Sequence, residues 1–385
     1  MKAKAKSLSQ LRAGVVGTGF IGRVHIEALK RLGVTVQAVY GSGSAGRVAE
    51  EWGIPGVFAR DQWEAFVNHP GIDVIHITSP NRHHFAQAAA ALRAGKHVVC
   101  EKPLAMTTAE TGELVQVCAA HRQQVFAVNY NVRFYPAVLQ LRADVAAGRL
   151  GRIIHVNGSY MQDWLVKPTD YNWRLLPEEG GDLRAVGDIG THWLDAVTFI
   201  LGAKANSVFA NLTTCHTTRQ RPLGEVETFH DAGDIPMVPY EVKTEDFANI
   251  LLQFGNGAAG NLAVSQVANG RKNCIRIEIY GTERSAWWDS ESPNTIHYGS
   301  RTGANAEALR ACPEFMDAQA YTDYPPGHAE GFPDTFKMLY RSVYSEIAGA
   351  GNPERWYAGV ADGHHELELC EAIQRSHRTR QWEQI

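Results

Sequence analysis

Asp188 and His192 stand four residues apart in the run Gly187-Asp188-Ile189-Gly190-Thr191-His192. On a helix that spacing sets two side chains on one face. A carboxylate beside an imidazole can orient and deprotonate an alcohol, because histidine titrates near neutrality. The same spacing also suits an aspartate cap with a hydrogen-bonded core histidine. Lys102 lies in Cys100-Glu101-Lys102-Pro103-Leu104, directly after an apolar strand. Pro103 restricts Lys102 to extended backbone, and an X-Pro bond there can be cis. An amine fixed at a strand end can hydrogen-bond a reacting hydroxyl and help remove its proton. The alternative is a solvated lysine paired with Glu101 on the surface.

A second motif says what such groups would stand beside. Val15-Val16-Gly17-Thr18-Gly19-Phe20-Ile21-Gly22 reads as a buried strand, a glycine turn and a helix over 23–32. This is G-x-G-x-x-G in its strand–helix setting. Gly17 allows the tight turn, Gly19 lets backbone approach a pyrophosphate, and Gly22 lets the helix pack on the strand. The helix N-terminus offers N–H groups and a positive dipole end. An acidic residue that binds a ribose 2′-hydroxyl is expected after the second strand. The segment Tyr40-Gly41-Ser42-Gly43-Ser44-Ala45-Gly46-Arg47 holds none. Gly41 leaves room for a 2′-phosphate, Ser42 and Ser44 can donate to it, and Arg47 can pair with it. The expected cofactor is NADP or NAD, with NADP favoured.

The elements that must hold these residues fall into two textures. Strands at 13–17, 35–40, 74–78, 97–100 and 125–128 alternate with helices at 23–32, 46–52, 61–68, 83–94 and 108–121. Such alternation predicts a parallel sheet covered by helices on both faces. Beyond about residue 130 the strands lengthen and alternate, at 153–161, 207–214, 247–254, 257–267 and 274–280. This predicts a largely antiparallel sheet, with Gly255-Asn256 as a hairpin turn. Segments 187–201 and 359–375 read as helices. The stretch 219–241 reads as a lid or an unstructured excursion. The expected fold is therefore α/β: a dinucleotide-binding Rossmann domain at 1–128, then an α+β domain at 129–385 with a large, mostly antiparallel open sheet. The C-terminal helix is expected to be able to pack back on the first domain.

Bulk properties narrow the partners. The net charge of −4 over 385 residues gives no footprint for nucleic acid or an anionic membrane. No apolar run reaches membrane-span length. The first ten residues are basic but lack a signal-peptide core, and read as a short tail. Six cysteines lie scattered without C-x-x-C spacing, so neither a disulfide framework nor a zinc site is expected. Adjacent histidines such as His83-His84 and His364-His365 point apart on a helix, so no metal is expected. A cytoplasmic protein is expected.

Aromatic and amide groups cluster in the second half. Tyr160, Gln162, Asp163 and Trp164 end a strand, and Tyr171-Asn172-Trp173-Arg174 follows in a loop. Such a set suits a pyranose, whose apolar CH patches are ringed by hydroxyls, although aromatic clusters also build cores. Arg133, Tyr135 and His328 are further candidates.

Taken together, GTGFIG, TSPNRHH, EKPL and DIGTHWLD resemble the Gfo/Idh/MocA (glucose-fructose oxidoreductase / inositol dehydrogenase / rhizopine catabolism) family over nearly the whole chain. The runs QDW, NWR, GDIGTH and PPGH resemble its levoglucosan and glycoside dehydrogenase branch. The resemblance implies hydride transfer between NAD(P) and a ring secondary alcohol or ketone of a sugar, glycoside or cyclitol. It implies Lys102, Asp188 and His192 as the catalytic set, with histidine accepting the proton and Lys102 polarising the hydroxyl. It implies that Phe20 and Ile21 sit at the phosphate turn, and that Thr78, Pro80, Asn81 and His84 line the ribose and nicotinamide pocket. Glu101 and Lys102 would reach the nicotinamide ribose, and Asn129 the ring. A homodimer or homotetramer through the second domain's sheet is implied as well. Two other functions fit the same scaffold: a glycosidase that uses tightly held NAD for transient oxidation, and a non-catalytic nucleotide sensor. The sensor would need no proton acceptor.

Overall fold

The structure, a computed structural model, describes residues 7–224, 235–310, 318–325, 327–350 and 355–385. The basic tail up to residue 6, positions 225–234 of the 219–241 stretch, Cys312 and Pro326 lie outside the described residues. The chain divides into two compact units, Met1–Asn131 with Pro333–Leu367, and Val132–Phe332 with Glu368–Ile385.

The first unit is built on six parallel strands. They are Arg12–Val16 (β1), Thr35–Tyr40 (β2), Gly56–Phe58 (β3), Val74–Ile77 (β4), His97–Cys100 (β5) and Phe126–Val128 (β6), in the order β3-β2-β1-β4-β5-β6. Strands covered on both faces read as continuous apolar runs, and all of β4 is buried, His76 included. The strand order reverses between β1 and β4, the place where such sheets open toward a ligand. Gly17 follows β1 there, and the helix Phe20–Arg31 (α1) starts with Gly19 as its N-cap. Its buried His25, Ile26, Ala28 and Leu29 make one stripe.

This unit is discontinuous in sequence, whereas the strand–helix pattern breaks the chain once, after 128. The helix Phe332–Ile347 buries Phe336, Leu339, Tyr340, Val343 and Tyr344. Ala358 then pairs with Val128 as an antiparallel bridge. Local pattern carries no information about such a return.

The second unit holds Ile153–Met161 (β7), Ala205–Thr213 (β8), Thr218–Pro222 (β9), Met237–Glu241 (β10), Phe247–Phe254 (β11), Ala259–Ser265 (β12), Cys274–Gly281 (β13), Ser285–Asp289 (β14), Thr295–Gly299 (β15), Ala306–Leu309 (β16) and Glu383–Gln384 (β17). Nine of these form one sheet, ordered β16-β15-β14-β13-β7-β12-β11-β8-β17. Only β7 and β12 pair in parallel within it. Burial alternates along β11, with Ile250 and Leu252 inward and Asn249, Leu251 and Gln253 outward. The inner face packs with the helices Pro136–Ala146 and Thr191–Leu201 in one core. Trp193 anchors it: its Nε1 donates to Arg276 O at 2.8 Å, and any side chain at Gly158 would overlap its indole. The β11–β12 connection is longer than a Gly-Asn turn; Phe254 N donates to Ala258 O and Gly257 takes φ +85°. The stretch from 219 to 241 begins and ends in an antiparallel ribbon, β9 with β10, rather than in open loop.

Candidate active site

Two of the three turn glycines are demanded by the protein itself. Gly17 has φ +90°, and a Cβ there would lie 2.8 Å from Thr78 O. A Cβ on Gly22 would overlap Gly17 O. Thr78 Oγ1 donates to Val16 O at 2.7 Å and Gly17 O at 3.0 Å, which fastens the turn to the end of β4. Gly19 is different, because nothing lies within 4 Å of its Cβ position. Packing does not require glycine there, but close approach of a phosphate to backbone does. The residues therefore fit a dinucleotide, with the N–H groups at the start of α1 facing its phosphates. Phe20, 47% exposed, and half-buried Ile21 stand at that turn.

Beyond β2, Thr18 Oγ1 and Ser44 Oγ lie 2.8 Å apart. Gly41, Ser42, Gly43, Phe58, Arg60 and Asp61 line an open pocket of about 520 Å³. Arg60 was not legible as a candidate, since β3 is three residues long and gives no periodic signal. Arg47 lies on the exposed side of the helix Ala45–Trp52 and is not part of this lining.

Lys102 is half-buried after β5, and the Lys102–Pro103 bond is cis. Glu101 is not its surface partner: Glu101 is 7% exposed and tied into the interior. Its Oε1 accepts from Asn129 Nδ2 at 2.5 Å and lies 2.9 Å from His25 Nε2, and its Oε2 accepts from Lys102 N at 3.2 Å. His25 Nδ1 is 3.0 Å from His76 Nδ1, and His76 Nε2 is 2.9 Å from Tyr344 Oη. Glu101 and Asn129, both expected at the cofactor, thus bond to each other. His84 is fully buried, with Nδ1 2.8 Å from Pro103 O and Nε2 2.8 Å from Ser79 O. It staples two loops from beneath. Burial lowers the pKa of both His76 and His84. Asn81 is buried and Pro80 half-buried at the start of the same turn.

In the second unit Val186–Gly190 is a π-helical turn that leads into the α-helix Thr191–Leu201. A π turn is wider than an α turn, so the four-residue spacing of Asp188 and His192 does not carry the α-helical geometry. Asp188 Oδ1 accepts from Arg174 Nε at 2.9 Å, and Oδ2 accepts from Gln266 Nε2 at 2.8 Å. Half-buried His192 has its ring 6.3 Å from that of Tyr160. Arg133, a candidate for substrate, is instead a core residue. It forms a two-pronged buried ion pair with Asp195, at 2.8 Å and 2.5 Å.

Three of the carbohydrate candidates gather around a residue that sequence reasoning missed, Asn273. Tyr160 Oη and Gln162 Nε2 donate to Asn273 Oδ1 at 2.7 Å and 2.9 Å, and Trp164 Nε1 donates to Gln162 Oε1 at 2.7 Å. Asp163 turns away to Lys272 Nζ at 2.7 Å and Gly270 N at 3.1 Å, and the Lys272 bond holds its carboxyl below the usual range. The Arg174 guanidinium covers the Trp173 ring at 4.4 Å. His328 is exposed, and among the described residues no hydrogen bond joins its ring to the Tyr160 group.

One cluster of metal-type donors occurs among the described residues, Cys274, Asp289 and Glu291. Burial and the neighbouring Asp289 push the Cys274 thiol up to about 12, so it stays protonated. No helix among the described residues is long and apolar enough to cross a membrane.

Known proteins match this architecture. Residues 11–130 match the oxidoreductase family with an NAD-binding Rossmann fold, and residues 138–287 match the GFO/IDH/MocA C-terminal domain. A levoglucosan dehydrogenase of Pseudarthrobacter phenanthrenivorans is 31% identical over 298 residues, 74% of this chain and 75% of that protein. A D-glucoside 3-dehydrogenase of Escherichia coli is 30% identical over 275 residues, 70% and 74% of the two chains. The solved structure of levoglucosan dehydrogenase with NADH and L-sorbose superposes with TM-score 0.85 at 27% identity, covering 97% of this chain and 98% of that one. The chain belongs to the Gfo/Idh/MocA oxidoreductase family.

Proposed function

We propose that the protein is a sugar dehydrogenase that moves hydride between a ring secondary alcohol of a sugar, glycoside or cyclitol and a nicotinamide dinucleotide. Gly19 carries this reading: it is a turn glycine that the chain's own packing does not need. The names of its relatives, levoglucosan dehydrogenase and D-glucoside 3-dehydrogenase, support the substrate class. When bound, the dinucleotide supplies the hydride acceptor. The chain supplies the proton chemistry. Lys102 polarises the reacting hydroxyl, His192 receives its proton, and Asp188 orients the hydroxyl. Tyr160, Gln162 and Trp164, braced on Asn273, offer a face for the sugar ring.

The dinucleotide is NADP in this proposal. Among the described residues no carboxylate stands at the end of β2 itself, and Ser42 and Arg60 line the adjoining pocket, with Asp61 next to Arg60. The protein assembles through the outer face of the nine-stranded sheet. That face carries exposed Leu251 and the stacked pairs His155–Tyr280 and Trp287–His297, with the Arg276–Glu278 pair among them. Free cysteines fit a reducing, cytoplasmic compartment.

A panel of sugars, glycosides and inositols, each with NAD and with NADP, tests the reading by the absorbance of reduced nicotinamide. Net reduction with a cyclic sugar is expected. Glycoside cleavage with cofactor retained and no net reduction would replace it with the transient-oxidation reading.

A further inference from the structure

Asp188 is held by a chain of buried polar groups that extends well beyond its own turn. Gln266, just after β12, is fully buried and donates Nε2 to Asp188 Oδ2 at 2.8 Å. A carboxamide can sit either way round, so a further group must set which end meets the carboxylate. Arg184 does this, donating Nη1 to Gln266 Oε1 at 2.9 Å. A guanidinium has no acceptor. A flipped amide would set donor against donor at Arg184 and carbonyl against carboxylate at Asp188.

Arg184 is itself fixed on every side. Its Nη2 pairs with Asp246, and its Nε donates to Thr244 Oγ1 at 3.2 Å. Glu245 accepts from the backbone N–H of Arg184 at 3.0 Å and of Val186 at 2.8 Å. Asp246 also pairs with Arg219 of β9 at 2.7 Å, and Arg219 reaches Leu165 O and Lys167 O, each at 2.9 Å. Buried ion pairs of this kind are costly to desolvate, and apolar packing of the same volume commonly does as well for stability. Here the string of charges ends on one carboxylate oxygen.

We propose that Gln266, set by Arg184, is a positioning residue that fixes Asp188 as an ionised orienting group, with Arg174 gripping the other oxygen from the loop before the π turn. The proposal rests on Asp188 belonging to the proton-transfer set. It divides the labour within that set: with a donor on each oxygen, Asp188 orients and His192 accepts the proton. The charged and titratable groups joined to Asp188 or to its chain of donors include Arg174, Arg184, Glu245, Asp246 and Tyr160, and His192 follows on the next helix. Burial raises the pKa of Tyr160, which keeps the phenol neutral at acid pH, and raises that of Glu245, so the test below follows the Asp188 signal itself and not the net proton uptake.

The test is Gln266→Glu in the full chain. One oxygen of the new carboxylate still meets Arg184, but the other faces Asp188, and adjacent carboxylates share a proton. In protein labelled with [13Cγ]aspartate, with the Asp188 signal assigned through Asp188→Asn, the Asp188 titration midpoint is expected to rise by about one pH unit or more. Gln266→Met, which removes the donor without adding charge, is expected to give a smaller rise of the same sign. In sugar-oxidation assays the acid limb of kcat/KM should move with the midpoint, while dinucleotide binding stays unchanged. An unmoved Asp188 midpoint in either folded variant overturns the proposal. A moved midpoint in a protein that oxidises no sugar leaves the positioning intact and removes the functional reading instead.

Discussion

His25 places Nε2 2.9 Å from Glu101 Oε1, and through Nδ1 it reaches His76 Nδ1 at 3.0 Å. These bonds share a polarity. A carboxylate only accepts, so His25 Nε2 carries the proton that faces Glu101. With one proton per ring, His25 Nδ1 accepts from His76 Nδ1, and His76 Nε2 accepts from Tyr344 Oη. Every donor then points toward Glu101, and each bond polarises the next. Nitrogen-15 spectra of the labelled imidazoles should show the Nε2–H tautomer for His25 and the Nδ1–H tautomer for His76; the reverse pair would refute this order. Glu101→Gln sets an amide N–H against one of its present donors, Asn129, His25 or the Lys102 peptide. It should cost about 1–3 kcal/mol in urea unfolding.

The same cluster gives the fold a pH dependence. Burial holds His76 well below the ordinary histidine pKa and lowers His84 as well. Both titrate near 6.5 in an unfolded chain. Below that pH the unfolded state binds protons that the folded state does not, so stability rises with pH there. Their contribution is complete above about 6.5 and is lost as pH falls from 6.5 toward the lower folded-state values. The limiting slope is about 1.4 kcal/mol per pH unit for each ring. Urea midpoints at pH 7 and pH 5 measure it. His76→Gln should flatten the slope by one proton, and an unchanged slope would contradict the assignment.

The three turn glycines should separate fold from ligand. Gly22→Ala meets Gly17 O, and Gly17→Ala meets Thr78 O at 2.8 Å from a φ of +90°. Both should lower the melting temperature, by several degrees or more for a loss of about 1–3 kcal/mol. Gly19→Ala meets nothing within 4 Å. It should melt like the parent protein yet bind dinucleotide at least tenfold more weakly, as read by quenching of tryptophan fluorescence. If Gly19→Ala keeps full affinity, the turn does not receive a pyrophosphate.

The contrast among these glycines also shows what a sequence can carry. Strand, glycine turn and helix are local patterns, and 35–40, 97–100, 153–161 and 247–254 are strands as their periodicity predicts. The catalytic candidates likewise sit in short motifs. Asn273, Gln266 and Arg184 do not, because their meaning lies in side-chain hydrogen bonds to residues far along the chain: Asn273 with Tyr160, Gln266 with Asp188, and Arg184 with Thr244 and Gln266. His25 gives a sharper case. It stands three residues past Gly22, inside the fingerprint helix, yet nothing local says that its partners are Glu101 and His76. Arg133 and His84 are buried braces, a role that their places in or near the motifs do not announce.

Cofactor choice should turn on Arg60 and Gly41. A 2′-phosphate needs a cation and hydroxyl donors, and Arg60 and Ser42 line the same pocket. Arg60→Ala should weaken NADP binding by about 10–100-fold and leave NAD within about threefold. Gly41→Asp should favour NAD instead, since a carboxylate accepts from the 2′-hydroxyl and repels the phosphate. Its Cβ would lie 3.4 Å from Thr18 Oγ1, so the site must give slightly. Titration calorimetry with both dinucleotides checks this without turnover. Equal loss for NAD and NADP in Arg60→Ala would place Arg60 on the adenine and not on the phosphate.

Lys102 and His192 should fail in different ways. In the proposed mechanism Lys102→Ala removes the cation that polarises the hydroxyl, and His192→Ala removes the proton acceptor. Each should lower kcat by about 10²–10⁴-fold while dinucleotide affinity stays within a few-fold. For His192→Ala the loss should shrink as pH rises, because hydroxide takes over the role of the missing base. For Lys102→Ala, added small primary amines should restore part of the rate. His192→Ala gains nothing from amines if its role is to accept a proton from a hydroxyl that Lys102 already polarises. Turnover equal to the parent in either variant would remove that residue from the chemistry.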